Sequence, residues 1–124
     1  MNKDSVIEEN YNNWTQSPFD TTTIKNVKSL KNNNPLEFEE SFYKNLSFGT
    51  GGMRGIVGIG PNRVNRYTFG KNTQGISNFI NKTSSKKESV VIAYDCRNQS
   101  KELANQVADV FSSNGISVYL FSSI

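Results

Sequence analysis

The sequence predicts an α/β fold, and two observations support this prediction. A β-branched run at 90–94 is followed by an apolar helical stripe and then by a second β-branched run at 116–121, which is the pattern of a strand–helix–strand unit. The spacing of the hydrophobic residues also changes near residue 45: before it the apolar residues are at helical spacing, and after it helical segments alternate with β-branched runs. We therefore expect a helical segment over 1–45 and an α/β domain over 46–124.

Three helices are expected in the first 45 residues. The first is capped by Asp4 and runs to about Thr15. The second opens at Asp20 or a following threonine and ends at the asparagines of 32–34, and the third covers 36–44. The apolar positions at helical spacing are Val6, Ile7, Tyr11, Trp14, Ile24, Val27, Leu30, Leu36, Phe38 and Phe42. We interpret this segment as packing scaffold.

The elements after residue 45 follow in a regular order. A helix over 67–81 carries its apolar residues along one side, at Phe69, Ile76, Phe79 and Ile80. The first β-branched run lacks alternation, so that strand should be covered on both faces. The next helix is capped by Asn98 or Ser100 and ends at Gly115, where a glycine that follows a helix belongs. The second strand should then pair parallel to the first.

Composition excludes several functional classes. The chain has no histidine, which excludes Ser-His-Asp catalysis, Cys-His catalysis and zinc sites built on histidine. The single cysteine, Cys96, has no internal disulfide partner, which favours a reducing, cytoplasmic setting. No apolar run is long enough to span a membrane, so we expect no membrane partner.

Charge is distributed unevenly along the chain. Residues 1–45 hold five lysines and seven acidic residues, a net of −2, whereas residues 46–124 hold nine basic and four acidic residues, a net of +5. The stretch from 46 to 75 has no acidic residue, and its basic residues are Arg54, Arg63, Arg66 and Lys71. These are too few and too scattered for a nucleic-acid surface, and a small anionic ligand fits better.

The glycine-rich stretch FGTGGMRGIVGIG, residues 48–60, allows two interpretations. It fits neither the phosphate-loop pattern nor the dinucleotide fingerprint. It could be a structural hairpin, because Gly60-Pro61-Asn62 is turn chemistry between apolar residues. It could instead bind an oxyanion, since open backbone N–H groups lie next to Arg54, whose guanidinium can hold phosphate with two hydrogen bonds.

A resemblance carried by three motifs, the first of them within this stretch, favours the second interpretation. The segments FGTGGMRG (48–55), NRVNRYT (62–68) and DCRNQS (95–100) resemble, in order, motifs of the α-D-phosphohexomutase superfamily of phosphoglucomutases and phosphomannomutases. The segment 112–121 resembles the part of the family that leads to the catalytic serine, and the helical start resembles its longer-headed branch. The resemblance covers essentially the whole chain.

The resemblance implies a fold, an activity and a set of site residues. The fold would be a three-layer α/β/α domain with a mixed sheet, the incomplete first domain of a four-domain enzyme. The enzyme, an intramolecular phosphotransferase of the isomerase class, would interconvert hexose 1-phosphate and hexose 6-phosphate through a phosphoserine, with Mg²⁺ and a hexose 1,6-bisphosphate. The implied phosphate-binding residues are Arg54, Thr50, Gly51 and Gly52, with Asp95 and Arg97 as active-site support. The alternative for Asp95 and Arg97 is a local salt bridge with capping duty.

The resemblance also implies that parts of the machinery lie elsewhere. The phosphoserine is expected beyond Ile124, the chain has no metal-binding aspartate loop, and the loop that would separate glucose from mannose is missing. We therefore expect an N-terminal fragment that is inactive alone and that self-associates through an exposed sheet edge. The alternatives are a free-standing module that binds sugar phosphates or other anions, and a module that assembles with a separately encoded remainder.

Overall fold

A computed structural model describes residues 2–49, 52–53, 55–94 and 100–121. These residues form five helices and four short strands, so the α/β prediction is confirmed. The chain divides into two compact units, Met1–Thr68 and Phe69–Ile124, each with its own internal packing. Within the described ranges, no helix is both long enough and apolar enough to cross a membrane.

The first unit begins with three helices whose N-termini are capped by side chains. They are α1 (Lys3–Trp14), α2 (Thr21–Asn33) and α3 (Pro35–Phe42). Each is preceded by an asparagine or aspartate whose side-chain oxygen accepts a hydrogen bond from the N–H three residues on: Asn2 from Ser5, Asp20 from Thr23 and Asn34 from Glu37. The prediction of Asp4 as the first cap was wrong, because Asn2 has this role and Asp4 lies in the first turn.

Aromatic side chains fill the core of the first unit. Trp14, Val27, Phe38 and Phe42 are buried together, and Phe38 stacks on Phe42 with ring centroids 4.6 Å apart. Leu36 was predicted on the same face but is 79% exposed. The reason is helical geometry: Phe38 and Phe42 are four residues apart and share a face, whereas Leu36 lies about 200° around the helix from Phe38.

Tyr67 joins the later part of this unit to the helices. Its ring lies 4.5 Å from that of Phe19 and 5.6 Å from that of Trp14, between centroids. Its hydroxyl donates a hydrogen bond to the carboxylate of Asp20 and accepts one from Arg66 at 3.0 Å. The hydrogen bonds from the Thr23 hydroxyl and from Tyr67 hold the pKa of the Asp20 carboxyl well below its usual range.

A turn at Gly60 packs directly on the end of α3. Gly60 has φ +123°, and a Cβ added there would lie 2.7 Å from the Ser41 carbonyl oxygen. Asn62 strengthens the contact, because its N–H donates to the Ser41 carbonyl and its side-chain amide to the Glu40 carbonyl, both at 3.0 Å. Glycine is therefore required at 60 by both backbone conformation and space.

The second unit contains the predicted strand–helix–strand unit. Strand β3 (Ser89–Ile92) pairs parallel with β4 (Ser117–Leu120), and α5 (Ser100–Ser113) connects them. Two short strands of the first unit, β1 (Phe48–Gly49) and β2 (Gly52–Met53), pair antiparallel. The mixed sheet and three-layer arrangement stay predictions, as does the domain division at residue 45.

The end of α5 follows the glycine prediction. Gly115 has φ +77°, and its N–H donates to the Ser112 carbonyl while that of Ile116 donates to the Phe111 carbonyl. These two bonds form a Schellman motif, and the buried side chains of Phe111 and Ile116 supply its apolar pair. The cap at the start of α5 was predicted at Asn98 or Ser100; the helix begins at Ser100, and Asn98 lies outside the described residues.

The apolar face predicted for the helix at 67–81 was partly wrong. The helix is α4 (Arg66–Thr83), in which Phe69 and Ile80 are half-buried, Thr73 and Ser77 are buried, and Phe79 is 67% exposed. The hydroxyls of Thr73 and Ser77 donate to the carbonyls four residues earlier, at 2.7 and 2.9 Å. Because these bonds satisfy the hydroxyls within the helix, the small polar side can be buried.

One face of the β3–β4 pair is exposed. Val91 and Tyr119 are paired in register and are 68% and 64% exposed, so the prediction that the first strand is covered on both faces was wrong.

Hydrogen bonds between amide groups connect α4 to the end of α5. The side-chain amides of Gln74 and Asn114 exchange two hydrogen bonds, at 3.0 and 2.9 Å. Asn81 donates to the Asn114 carbonyl at 3.1 Å, so α4 is attached to the end of α5 by amide groups.

Asp20→Asn should lower the free energy of unfolding at pH 7 and change its pH dependence. The folded-state pKa of this carboxyl lies below its unfolded value, so ionised Asp20 stabilises the fold above about pH 4, and the stabilisation is lost as the pH falls further. Asparagine keeps a capping oxygen, which isolates the effect of charge. Urea unfolding of both chains between pH 7 and pH 3 should show their stabilities converging at acid pH; a constant difference would contradict this.

Gly60→Ala should destabilise the chain by about 2 kcal/mol or more, because alanine is strained at positive φ and its Cβ meets backbone. Gly58→Ala is the matched control, since a Cβ there would be 3.6 Å from the nearest atom, Cδ of Arg63. We expect Gly58→Ala to change the stability by less than about 1 kcal/mol. Urea denaturation of the two variants measures the difference, and equal losses would show that the Ser41 contact is unimportant.

Candidate functional site

Most of the predicted phosphate-binding residues lie outside the described residues. Gly52 is described, and its backbone pairs with Gly49 in the β1–β2 ladder. Thr50, Gly51 and Arg54 lie outside the described residues, as do the two proposed support residues, Asp95 and Arg97. Their roles therefore stay predictions, and the geometry of the site is built from the residues around them.

The chain is held by hydrogen bonds on both sides of Arg54. Before it, the antiparallel ladder pairs Phe48 with Met53. After it, the Val64 N–H donates to the Ile56 carbonyl at 2.8 Å, and the Gly58 N–H donates to the Val64 carbonyl at 3.1 Å. The position of Arg54 in the chain thus falls between two anchored backbone segments.

The hairpin predicted around Gly60-Pro61-Asn62 was partly wrong. The turn is present, since the Arg63 N–H donates to the Gly60 carbonyl at 3.3 Å. Between its arms, however, the described residues form one isolated bridge, of parallel type, between Val57 and Val64. The antiparallel ladder lies earlier, at β1–β2. The carbonyls of Gly58 and Gly60 are instead hydrogen-bonded by a side chain.

That side chain belongs to Asn65. Its amide nitrogen donates to the carbonyls of Gly58 at 2.9 Å and Gly60 at 3.0 Å, with a weaker contact to Arg63 at 3.5 Å. Its oxygen accepts from the N–H groups of Tyr67 and Thr68, both at 3.0 Å. Asn65 therefore caps α4 and closes the turn with one amide group.

Thr68 completes this network. Its hydroxyl oxygen accepts from the Asn65 N–H at 3.1 Å and donates to the Arg63 carbonyl at 2.8 Å. The two residues form a reciprocal capping arrangement in which each side chain serves the other's backbone. Sequence reasoning missed Asn65, although a capping residue followed three positions later by a polar side chain was a readable signal.

Arg63 is the buried charge of this region. It is 4% exposed, and its guanidinium donates to one carboxylate oxygen of Glu37 through Nη2 at 3.0 Å and Nε at 3.3 Å. A third bond goes to the Asn62 carbonyl at 3.0 Å. The glycine-rich stretch is thereby tied to α3 by a charged pair as well as by the Gly60 turn.

Arg66 is paired as well, at the start of α4. Its guanidinium lies 3.6 Å from the Asp20 carboxylate and stacks over the Tyr67 ring, 4.8 Å from its centroid. The hydrogen bond to the Tyr67 hydroxyl raises the pKa of Arg66. Two of the four basic residues between 46 and 75 thus pair with acids of the helical segment, Arg63 as a buried group and Arg66 as an exposed one.

The described residues offer no metal site. Nowhere in the described ranges do three or more His, Cys, Asp or Glu side chains come together in a way that could hold an ion. The Mg²⁺ that the family resemblance implies therefore has no ligand set among them.

Comparison with known proteins identifies relatives of this chain. The family model described as phosphoglucomutase/phosphomannomutase, alpha/beta/alpha domain I, matches residues 45–124. A phosphoglucomutase of Staphylococcus haemolyticus is 44% identical over 82 residues, which cover 66% of this chain and 15% of that protein. A phosphoglucomutase of Staphylococcus aureus is 38% identical over 85 residues, covering 68% and 15%. No solved structure matches.

One further relative matches along the whole chain. A human phosphopentomutase is 32% identical over 133 aligned residues, which cover 100% of this chain and 22% of that protein. The chain thus spans between 15% and 22% of the length of these three relatives. Since the family model covers more than half of the chain, the chain belongs to the phosphoglucomutase/phosphomannomutase family, in the region of its first α/β/α domain.

Proposed function

We propose that this chain forms part of a cytoplasmic phosphohexomutase that interconverts hexose 1-phosphate and hexose 6-phosphate. The observation that carries the proposal is the family match over residues 45–124, together with the two phosphoglucomutase relatives. In the proposed reaction, a phosphoserine gives its phosphoryl group to the free hydroxyl of the sugar phosphate, which forms a hexose 1,6-bisphosphate. The serine then regains a phosphoryl group from the other position, so the two isomers interconvert.

We assign the phosphate-binding role to Arg54 and the loop around it. Thr50, Gly51 and Gly52 would shape that loop, and open backbone N–H groups would approach the phosphate oxygens. A guanidinium suits this role because it can donate two parallel hydrogen bonds to phosphate. The assignment is supported by the anchored segments on both sides of Arg54 and by the burial of the neighbouring Arg63 in its pair with Glu37.

The remaining parts of the proposal concern residues and groups around this loop. Asp95 and Arg97 follow β3 on its carboxyl side, where open α/β sheets bind ligands, and we propose them as active-site support. The three-layer arrangement with a mixed sheet is proposed on the β3–β4 pair and the family's α/β/α domain. Mg²⁺ and the bisphosphate are proposed for the whole protein, and neither is given a ligand in this chain.

A pentose phosphate is the second candidate substrate. The phosphopentomutase relative aligns with the entire chain, including the helical segment, whereas the two phosphoglucomutases align with about two thirds of it. Both substrate classes present a sugar phosphate dianion, so the proposed role of Arg54 is the same for either.

Arg54→Ala in the whole mutase should lower kcat/KM by a factor that corresponds to about 2–4 kcal/mol, as expected for the loss of one preorganised phosphate contact. Arg54→Lys keeps the charge without the paired donors and should recover only part of the loss. Lys71→Ala, which removes an exposed basic residue of the same acid-free stretch, is the control and should retain kcat/KM. Wild-type kinetics for Arg54→Ala would remove this residue from the site.

Substrate preference is measured with glucose 1-phosphate, mannose 1-phosphate and ribose 1-phosphate under identical conditions. We expect the larger kcat/KM for a hexose, by about tenfold or more over ribose 1-phosphate, which corresponds to about 1.4 kcal/mol. A larger value for ribose 1-phosphate would replace the hexose assignment with the pentose one. Turnover of none of the three would contradict the mutase proposal itself.

A further inference from the structure

We propose that Asn65 is a positioning residue for the phosphate-binding loop, in addition to its role as a helix cap. The inference rests on the proposed function of Arg54. Asn65 lies eleven positions after Arg54, but its side chain reaches back to the backbone that leaves the loop. Its effect on the reaction would be exerted through that backbone, without contact to the substrate.

The hydrogen bonds of Asn65 divide between two functions. The side-chain oxygen accepts from the Tyr67 and Thr68 N–H groups, which is the capping half. The side-chain nitrogen donates to the carbonyls of Gly58 and Gly60, which is the half that holds the turn. An oxygen acceptor is sufficient to cap a helix, but the two bonds to these carbonyls need both hydrogens of an NH₂ group, which aspartate lacks and the single O–H of serine cannot replace.

The turn-holding half is connected to Arg54 by a short stretch of backbone. Asn65 binds the carbonyl of Gly58, and the N–H of the same Gly58 donates to the Val64 carbonyl. Val64 in turn donates to the carbonyl of Ile56, two residues after Arg54. Releasing the amide therefore loosens the pairing that fixes the exit of the loop.

A side-chain contact adds a second connection to the same place. Gly55, the residue after Arg54, is exposed, and a Cβ added there would lie 2.7 Å from Cδ1 of Leu46 and 3.4 Å from Cγ2 of Val64. The Val64 side chain thus lies beside the Gly55 backbone, while the Val64 N–H donates to the Ile56 carbonyl. A shift of Val64 would therefore act on the backbone next to Arg54 through both contacts.

Asn65→Asp separates the two halves. Aspartate keeps oxygens that can accept from the helix N–H groups, and its charge is favourable at a helix N-terminus. It replaces the donor NH₂ with an oxygen that faces the carbonyls of Gly58 and Gly60, so the turn-holding bonds become repulsive. Asn2→Asp, the same change at the cap of α1, is the matched control.

The test measures kcat and KM for glucose 1-phosphate in the whole mutase. Asn65→Asp should lower kcat/KM about 10- to 100-fold, with a rise of about fivefold or more in KM, because the phosphate contact is misplaced. Asn2→Asp should stay within about twofold of wild type. A fall in kcat alone with unchanged KM is what partial unfolding produces, and it would overturn the proposal.

A double-mutant cycle with Arg54→Ala decides whether Asn65 acts through the loop. If it does, adding Asn65→Asp to Arg54→Ala lowers kcat/KM by less than about threefold further, since the contact it positions is already gone. Independent, multiplying losses would overturn the positioning role while leaving Arg54 in the site. An Arg54→Ala variant with wild-type kinetics would instead refute the proposed function of the loop, and the positioning role with it.

Folding of the variants is followed by urea unfolding monitored by circular dichroism. Asn65→Ser, which keeps a short capping hydroxyl without adding charge, provides a second variant if Asn65→Asp is too unstable. It should show the same rise in KM. Loss of cooperative unfolding in both variants would assign Asn65 to folding alone and would overturn the proposal.

Discussion

The first unit depends on the ion pair between the buried guanidinium of Arg63 and the exposed carboxylate of Glu37. A guanidinium that is 4% exposed needs a carboxylate partner, because an unpaired buried charge costs several kcal/mol. The carboxylate comes from α3 and the guanidinium from the turn that follows the glycine-rich stretch. The ion pair therefore couples the position of this turn to α3, and the helical segment contacts the backbone that follows the glycine-rich stretch.

This ion pair also explains part of the uneven distribution of charge along the chain. The excess of acid before residue 45 and of base after it suggested an anionic ligand. Contacts within the first unit show that some of this asymmetry is internal, because Glu37 and Asp20 each take up an arginine from the motif region. The buried Arg63 is not available to an external ligand, so the field that a phosphate would meet is weaker than the composition implies.

Local signals in the sequence were sufficient for much of the fold. Asp20, Pro35 and Gly115 mark helix boundaries through their own backbone and capping chemistry, and the parallel β3–β4 pair follows from chain connectivity. The exposed positions of Leu36 and Phe79 were mispredicted because they depend on which helix face meets a neighbour. The loop around Arg54 was found by its motif. Asn65 also lies in a quoted motif, but its turn-holding role was missed because the partners of its NH₂ group are backbone carbonyls, which carry no residue identity.

The paired amides of Gln74 and Asn114 have a consequence for how the second unit could vary among relatives. Two antiparallel hydrogen bonds between planar groups tolerate neither a rotation nor a shift of one residue, since either movement breaks both. Asn81, two turns after Gln74, donates to the carbonyl of the same Asn114, so two turns of α4 contact the residue that follows α5. A length change in the 84–113 segment that moved Asn114 away from α4 would break all three bonds.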